Sequence, residues 1–168
     1  PADITFVGAS HYHFDHIGQA DSFPQAKLLI GKADLDLLSA PGENPLVNKS
    51  SLKPWLAGTA AKEGVTGDKD VFGDGSVVMI STPGHTPGHN ALLVTLVSGR
   101  KYLLTGDLYH FAEQVSHHGV PTFNHDRADT LASMDRFDKL AKNVGATVII
   151  QHEPADVAKL PAFPQAAE

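Results

Sequence analysis

The segment His11-Tyr12-His13-Phe14-Asp15-His16 places four potential metal ligands within six residues. In an extended or tightly looped backbone, His11 and His13 project to the same side, because alternate side chains share a face. These two histidines can therefore share one cation, while Asp15 and His16 turn toward a second. Two cations about 3.5–4 Å apart would hold a hydroxide between them, as in binuclear hydrolases. The segment thus predicts a dinuclear metal site rather than a solvated polar loop.

Length, charge and residue composition limit the classes of protein to which the chain can belong. At 168 residues the chain fits one domain, over residues 1–168. Its net charge of -6, with no cluster of Lys and Arg, argues against a nucleic-acid partner. No apolar run approaches the roughly 18 residues of a membrane span. Without cysteine the chain can form neither a disulfide nor a thiolate site, so its composition indicates no compartment.

Strand-like and helix-like segments are mixed along the chain, and the chemistry-bearing residues follow the strands. Hydrophobic patterning predicts strands at residues 4–7, 28–30, 71–72, 77–80, 91–97, 101–105 and 148–150, and helices at residues 32–39, 52–57 and 127–143. Each histidine or aspartate of interest lies at or just beyond the C-terminal end of a predicted strand, where catalytic groups commonly sit. The mixed order indicates a layered α/β architecture.

The pattern His-x-His-x-Asp-His resembles the signature of the metallo-β-lactamase superfamily, and later residues match the rest of that signature in order. These are His85 in the segment 82–89, Asp107 after Thr105-Gly106, and His152 in Gln151-His152-Glu153-Pro154. The resemblance implies two zinc ions per chain, with other divalent transition metals as possible occupants. One ion is expected at His11, His13 and His85, the other at Asp15, His16 and His152, with Asp107 bridging them.

The resemblance also implies a four-layered αββα sandwich. In that superfamily the first metal motif usually follows several strands, whereas here it begins at His11. We therefore expect leading strands ahead of residue 4. Without them one apolar sheet face would be exposed, and either a preceding segment or a second copy in a homodimer would cover it.

The same resemblance implies a hydrolase that acts on a small molecule by attack of a hydroxide held between the ions. The presence of Asp107 and the absence of cysteine disfavour a dedicated β-lactamase. Asp107 follows His85 by 22 residues and precedes His152 by 45, which is most similar to the N-acyl-homoserine lactonases. The alternatives are a hydroxyacylglutathione-hydrolase-like thioesterase, a β-lactamase or a phosphotriesterase of the same fold, or a non-enzymatic remnant with a purely structural metal.

Four residues are expected to act in catalysis: Asp15, Asp107, Tyr109 and His110. Asp15 would pass a proton to the leaving alkoxide. The lactonases place a tyrosine three residues after the bridging aspartate, but here His110 holds that position and Tyr109 comes one residue earlier. Either side chain could donate a hydrogen bond to the oxyanion.

Other residues near the motifs are expected to support the site or to line the substrate cleft. His89 is expected to support the site rather than bind an ion. Residues 41–68 and 108–125 are expected to frame the substrate cleft. Trp55, Phe111 and Phe123 could line its apolar wall, although a core position is the favoured interpretation of each.

Overall fold

The computed structural model describes residues 1–42 and 49–168. Residues 43–48, part of the segment 41–68 that was expected to frame the cleft, lie outside the described residues. The strands are β1 (Phe6–Gly8), β2 (Lys27–Gly31), β3 (Lys62–Val65), β4 (Lys69–Asp70), β5 (Val77–Ser81), β6 (Asn90–Thr95), β7 (Lys101–Leu104) and β8 (Thr147–Ile149). The α-helices are α1 (Phe14–Ile17), α2 (Lys32–Ser39), α3 (Lys53–Leu56), α4 (Ala112–His117), α5 (Arg127–Val144) and α6 (Pro154–Val157).

The described strands form two sheets that face each other. One is parallel, with the order β1-β2-β3. The other has the order β4-β5-β6-β7-β8 and is antiparallel except for the parallel pair β7 and β8. Leu29, Val65 and Met79 form a buried cluster between the sheets. A cavity of about 460 Å³ lies beside this cluster, lined by Phe6 and Leu104 among others.

Helices cover the outer faces of both sheets. Leu38 in α2 and Trp55 in α3 join the core of the parallel sheet. Met134 and Phe137 in α5 are fully buried in the core of the five-stranded sheet. The order of layers is therefore helix, sheet, sheet, helix, which confirms the predicted αββα sandwich. The strands predicted ahead of residue 4 stay a prediction.

The long helix α5 forms where its end signals predict it. Asp126 accepts a hydrogen bond from the backbone N–H of Asp129 over 2.8 Å, which satisfies one of the free donors of the first turn. Gly145 ends the helix with a φ of 65°, a left-handed conformation that glycine adopts without strain. The predicted helix at 127–143 is thus confirmed, one residue longer.

One predicted strand lies elsewhere in the structure, and the segment 108–125 contains a helix that was not predicted. The strand expected at residues 71–72 lies at Lys69–Asp70, because the Asp70 carboxylate accepts hydrogen bonds from the backbone N–H groups of Gly73 and Gly75 and draws the following residues into a turn. The segment 108–125, expected to frame the substrate cleft, contains α4. Gln114 supports the start of this helix by accepting from the backbone N–H of His110 and Phe111.

The fold brings four loops to one edge of the two sheets. They follow β1, β5, β7 and β8, and each carries at least one of the predicted ligands. The backbone N–H of Asn90 donates to the carbonyl of Ser10 over 2.8 Å, which joins the two sheets next to these loops. Within residues 1–42 and 49–168, no helix has the length and apolar character that crossing a membrane requires.

Candidate metal centre

The first ligand group consists of His11, His13, His85 and Asp107. Each offers one nitrogen or oxygen atom, and these atoms all lie within 4.8 Å of one another. His85 Nε2 is 3.0 Å from His13 Nδ1 and 3.4 Å from Asp107 Oδ2. His11 Nε2 is 3.7 Å from the same carboxylate oxygen. The fold therefore brings together residues up to 96 positions apart in the chain, from His11 to Asp107.

The second ligand group consists of Asp15, His16 and His152, again within 4.8 Å of one another. His16 Nε2 and His152 Nε2 are 3.3 Å apart. They lie 3.0 Å and 3.1 Å from Asp107 Oδ1. Asp107 thus turns one carboxylate oxygen to each group, as expected of a residue that bridges two ions.

The polar atoms of the cluster fit a metal ion better than they fit one another. His11 Nε2 and Asp107 Oδ1 are buried and have no hydrogen-bond partner among the described residues. Asp107 Oδ1 has nitrogen atoms at 3.0 Å and 3.1 Å, but these contacts lack the direction of a hydrogen bond. Buried polar atoms without partners are rare, and each calls for an explanation. Imidazole nitrogens and carboxylate oxygens that converge in this way are typical zinc ligands.

The charge states of the cluster also suit a cation. Burial lowers the pKa of His11 well below its usual value and lowers the pKa of His85 to about 4. Burial alone would raise the pKa of Asp107, but His110, His16 and His11 beside the carboxylate hold it well below its usual range. For His16, burial lowers the pKa, but the neighbouring Asp107 and Asp15 carboxylates outweigh burial and raise it. Most of the first group is therefore neutral imidazole and ionised carboxylate at neutral pH, the forms that bind metals.

Hydrogen bonds behind the ligands orient the histidine rings. Ser10 Oγ lies 3.1 Å from His11 Nδ1 and 3.2 Å from His16 Nδ1. Asn124 Oδ1 lies 3.0 Å from His85 Nδ1. Such contacts leave the opposite ring nitrogen free for a metal. Sequence reasoning missed both supporting residues; the position of Ser10 beside the motif was a usable signal, whereas nothing in the sequence indicates Asn124.

His89 lies behind the cluster and not among its ligands. Its ring is fully buried, with Nδ1 2.9 Å from Thr82 Oγ1 and 3.0 Å from the Thr82 carbonyl oxygen. Its Nε2 accepts a hydrogen bond from the backbone N–H of Asp107. Burial lowers the pKa of His89 to about 3, so the ring is neutral at pH 7. The supporting position expected for His89 is confirmed.

The structure separates Tyr109 from His110. His110 Nε2 lies 3.3 Å from Asp107 Oδ2, and its ring stacks on His152. Tyr109 is only 1% exposed and its hydroxyl donates to the Asp138 carboxylate. The structure therefore places His110, and not Tyr109, against the candidate ligands, because the turn after Thr105 directs the tyrosine into the core beneath α5. A contact of either residue with the substrate stays a prediction.

The three aromatic residues considered for the cleft wall lie in different environments. Trp55 is fully buried and its Nε1 donates to the Ala26 carbonyl, which confirms a core position. Phe123 is 61% exposed, and its ring centroid lies 5.8 Å from that of His85. Phe111 is 52% exposed and lies beside His110. The favoured core position is therefore wrong for Phe111 and Phe123, which border the cluster.

Comparisons of the sequence with known proteins all point to one family. A sequence profile described as the metallo-beta-lactamase superfamily matches residues 1–152. The chain is 32% identical over 169 aligned positions to an N-acyl homoserine lactonase AttM of Rhizobium radiobacter, a match that covers 97% of this chain and 64% of that protein. An N-acyl homoserine lactonase of a Bacillus species is 26% identical and is covered to 62%. The chain thus spans somewhat less than two thirds of the length of these relatives.

Solved structures resemble the fold closely. A quorum-quenching N-acyl homoserine lactone hydrolase superimposes with a TM-score of 0.82 at 22% identity, over 98% of this chain and 64% of that one. A dizinc quorum-quenching lactonase, AidC, superimposes with a TM-score of 0.69 at 22% identity, over 90% of this chain and 58% of its own. At these identities the likeness establishes the fold.

Proposed function

Because the chain belongs to the metallo-β-lactamase superfamily, we propose that it forms the catalytic centre of a dinuclear zinc hydrolase that opens N-acyl-homoserine lactones. One observation carries this proposal: the Asp107 carboxylate faces both ligand groups, one oxygen toward each. A structural zinc site closes its coordination sphere with four protein ligands around one ion. Seven ligands shared between two ions leave positions for water and substrate, which disfavours a purely structural metal.

The seven proposed ligands divide as the distances suggest. His11, His13 and His85 would hold one zinc ion, Asp15, His16 and His152 the other, and Asp107 would bind both. When bound, zinc polarises a carbonyl oxygen and lowers the pKa of a water molecule toward neutrality. The protein contributes by fixing these side chains before any ion arrives, through Ser10, Asn124 and the amide contact between His89 and Asp107.

Asp15 is the proposed proton carrier to the leaving group. Its carboxylate is 40% exposed, whereas the Asp107 side chain is 6% exposed, so Asp15 alone of the two faces solvent. Its Oδ2 lies 3.4 Å from His16 Nε2 and 3.6 Å from His152 Nε2, at the outer side of the second group. Ring opening of a lactone leaves an alkoxide, which requires a proton. A carboxylate in this position can take the proton released by the attacking water and pass it to the alkoxide.

His110 is the proposed hydrogen-bond donor to the developing oxyanion. Its ring contacts both the Asp107 carboxylate and the ring of Phe123. Its Nδ1 is buried and has no partner among the described residues. A donor aimed at the site of developing charge stabilises a tetrahedral oxyanion more than the ground-state carbonyl. Tyr109, with its hydroxyl committed to Asp138, is not proposed for this role.

The surroundings of the cluster support a substrate with an apolar chain. Phe14, Phe111 and Phe123 are each more than half exposed. Phe14 lies between two proposed ligands in sequence, the Phe123 ring contacts His85, and the Phe111 ring contacts His110. Exposed aromatic rings beside a metal centre are suited to bury an acyl chain. The relatives named as N-acyl homoserine lactonases agree with this choice of substrate class.

A substrate panel tests the proposal. The zinc-loaded chain would be assayed with an N-acyl-homoserine lactone, an acyl-glutathione thioester, a β-lactam and a phosphotriester, with Asp107→Asn as the inactive control. We expect lactone opening to be the fastest reaction and to vanish in the control. If the thioester or the phosphotriester were hydrolysed faster than the lactone, that compound's class would replace N-acyl-homoserine lactones as the proposed substrate. Absence of turnover with all four, in a chain that binds two zinc ions, would overturn the proposed activity.

A further inference from the structure

Asp34 is a buried carboxylate that the proposed chemistry does not use. It lies in the first turn of α2 and is fully inaccessible to solvent. Asp and Glu are almost never fully buried unless they are paired, and no Lys, Arg or His among the described residues forms an ion pair with Asp34. Its partners are instead neutral donors from the metal-binding loops. A buried charge retained in this way calls for an explanation.

The donors come from the loop that carries His85, defined here as the His85 loop, residues 82–89. The backbone N–H of Gly88 donates to Asp34 Oδ1 over 2.6 Å, and the Thr86 hydroxyl donates to Oδ2 over 2.8 Å. Thr86 is adjacent to the ligand His85. The carboxylate therefore holds the loop at two points, on either side of Pro87.

The same carboxylate faces the first metal motif. The backbone N–H of Tyr12, between His11 and His13, forms a further favourable interaction with the charge of Asp34. Burial raises the pKa of Asp34 to about 6, while the contacts with Thr86, Gly88 and Tyr12 oppose the shift. The ionised form consequently prevails above pH 7, where all three donors can act on it.

Backbone packing at this point leaves little freedom. A Cβ added at Gly31 would lie 1.8 Å from the Gly88 carbonyl oxygen, and one added at Gly88 would lie 2.6 Å from the backbone nitrogen of Asp34. The His85 loop thus lies directly against the start of α2. Both glycines are required by this close approach, independently of the hydrogen bonds.

We propose that Asp34 is a positioning residue that fixes the His85 loop against the His11–His13 segment and so sets the affinity of the first ligand group for its cation. The inference rests on the proposed metal site but assigns a role to a residue outside it. Among the described residues, no hydrogen bond or ion pair joins its side chain to a proposed ligand. It acts by holding the backbone on which His85 and, through Tyr12, the pair His11 and His13 are carried.

The test is a zinc titration of the full chain against competing chelators at pH 7.5, which resolves two binding constants. Reference variants His85→Asn and His152→Asn assign the constants to the two ligand groups. Asp34→Asn is expected to weaken binding at the first group about 10- to 100-fold, in the range of outer-shell substitutions, and to leave the second group nearly unchanged. Thr86→Val, which removes one of the donors, should shift the same constant by less.

Asp36→Asn is the matched control, because Asp36 lies on the same helix but is exposed and pairs with Lys32. It should leave both constants unchanged. Equal weakening of both constants by Asp34→Asn, or no weakening of either, would overturn the proposal.

A measurement on the metal-free chain separates this inference from the proposed function. Asp34→Asn should accelerate amide hydrogen exchange in the His85 loop relative to Asp36→Asn, because the loop loses an anchor. Unchanged exchange would overturn the positioning role even if zinc binds as proposed. Conversely, the wild-type chain could bind no zinc while Asp34→Asn still accelerates exchange in the His85 loop. That pair of results would overturn the proposed function and retain Asp34 as the anchor of the loop.

Discussion

His89 Nε2 accepts a hydrogen bond from the backbone N–H of Asp107 over 2.9 Å, across 18 residues of sequence. The bond fixes the peptide that carries the shared carboxylate, while the other ring nitrogen is held at Thr82. His89, the last residue of the segment 82–89, therefore supports the proposed metal centre without being one of its proposed ligands.

Replacing His89 tests the strength of this support. His89→Leu keeps a buried side chain but leaves the Asp107 amide without an acceptor, which costs about 1–3 kcal/mol. We expect the free energy of unfolding of the metal-free chain to fall by that amount in denaturant titrations at pH 7.5. His117→Leu, at an exposed histidine, should change it by less than about 0.5 kcal/mol. Equal effects of the two substitutions would show that the contact stabilises nothing.

Gly106 allows His89 to approach Asp107. Its φ is 56°, and a Cβ there would lie 2.5 Å from His89 Nε2. Gly106→Ala should therefore lower the free energy of unfolding by about 1–3 kcal/mol beyond the cost of the left-handed backbone alone. Gly99→Ala measures that backbone cost, about 1–2 kcal/mol, because Gly99 also has a positive φ but nothing lies within 4 Å of its Cβ position. Thermal or chemical unfolding of both variants gives the difference, and a difference near zero would contradict the close contact.

His110 and Tyr109 are expected to respond in opposite ways to substitution. His110→Ala should lower kcat for lactone opening by about 100-fold, since a donor to the oxyanion is lost, with a smaller change in KM. Zinc content should be unchanged. Tyr109→Phe should keep kcat but lose about 1 kcal/mol of stability with its bond to Asp138. If Tyr109→Phe abolished turnover and His110→Ala did not, the assignment would be reversed.

The buried Asp34 carboxylate gives a prediction about pH. Its pKa is raised from 3.8 to about 6 in the folded chain. The folded state therefore binds more protons than the unfolded state between these values, so this group makes stability fall as pH rises from about 4 to above 6. A shift of about two units corresponds to about 3 kcal/mol.

Asp34→Asn removes that dependence. The stability of the variant relative to wild type should therefore increase by up to about 3 kcal/mol from pH 4 to pH 7 in the metal-free chain. Taking the difference between the two proteins cancels the titration of the histidines. A difference that stays constant with pH would mean that the carboxylate titrates normally.

The sequence indicated a mixed α/β architecture, and its resemblance to a known family implied the αββα sandwich and the seven proposed ligands. His11, His13, Asp15 and His16 lie in one short segment, and His85, Asp107 and His152 each follow a predicted strand. Strand ends that share a sheet edge meet in space, so these positions agree with the ligand set that the resemblance implied.

The contacts across the chain were not predictable in this way. Whether Tyr109 or His110 faces the cluster depends on the direction of one turn after Thr105, which the residue types do not determine. The hydrogen bond of Asn124 to His85 and that of Asp34 to Thr86 span 39 and 52 residues. Side chains that meet over such distances carry no local pattern, and only the packed fold brings them together.

The count of zinc ions bound per chain tests the central claim most directly. Metal-free protein would be loaded with excess zinc, freed of weakly bound metal and analysed for zinc and protein, beside His85→Asn and His152→Asn. We predict two ions in the wild type and about one in each variant, because each substitution removes a ligand from a different group. Fewer than one ion in the wild type, or full retention of both ions in the variants, would contradict a shared site organised around Asp107.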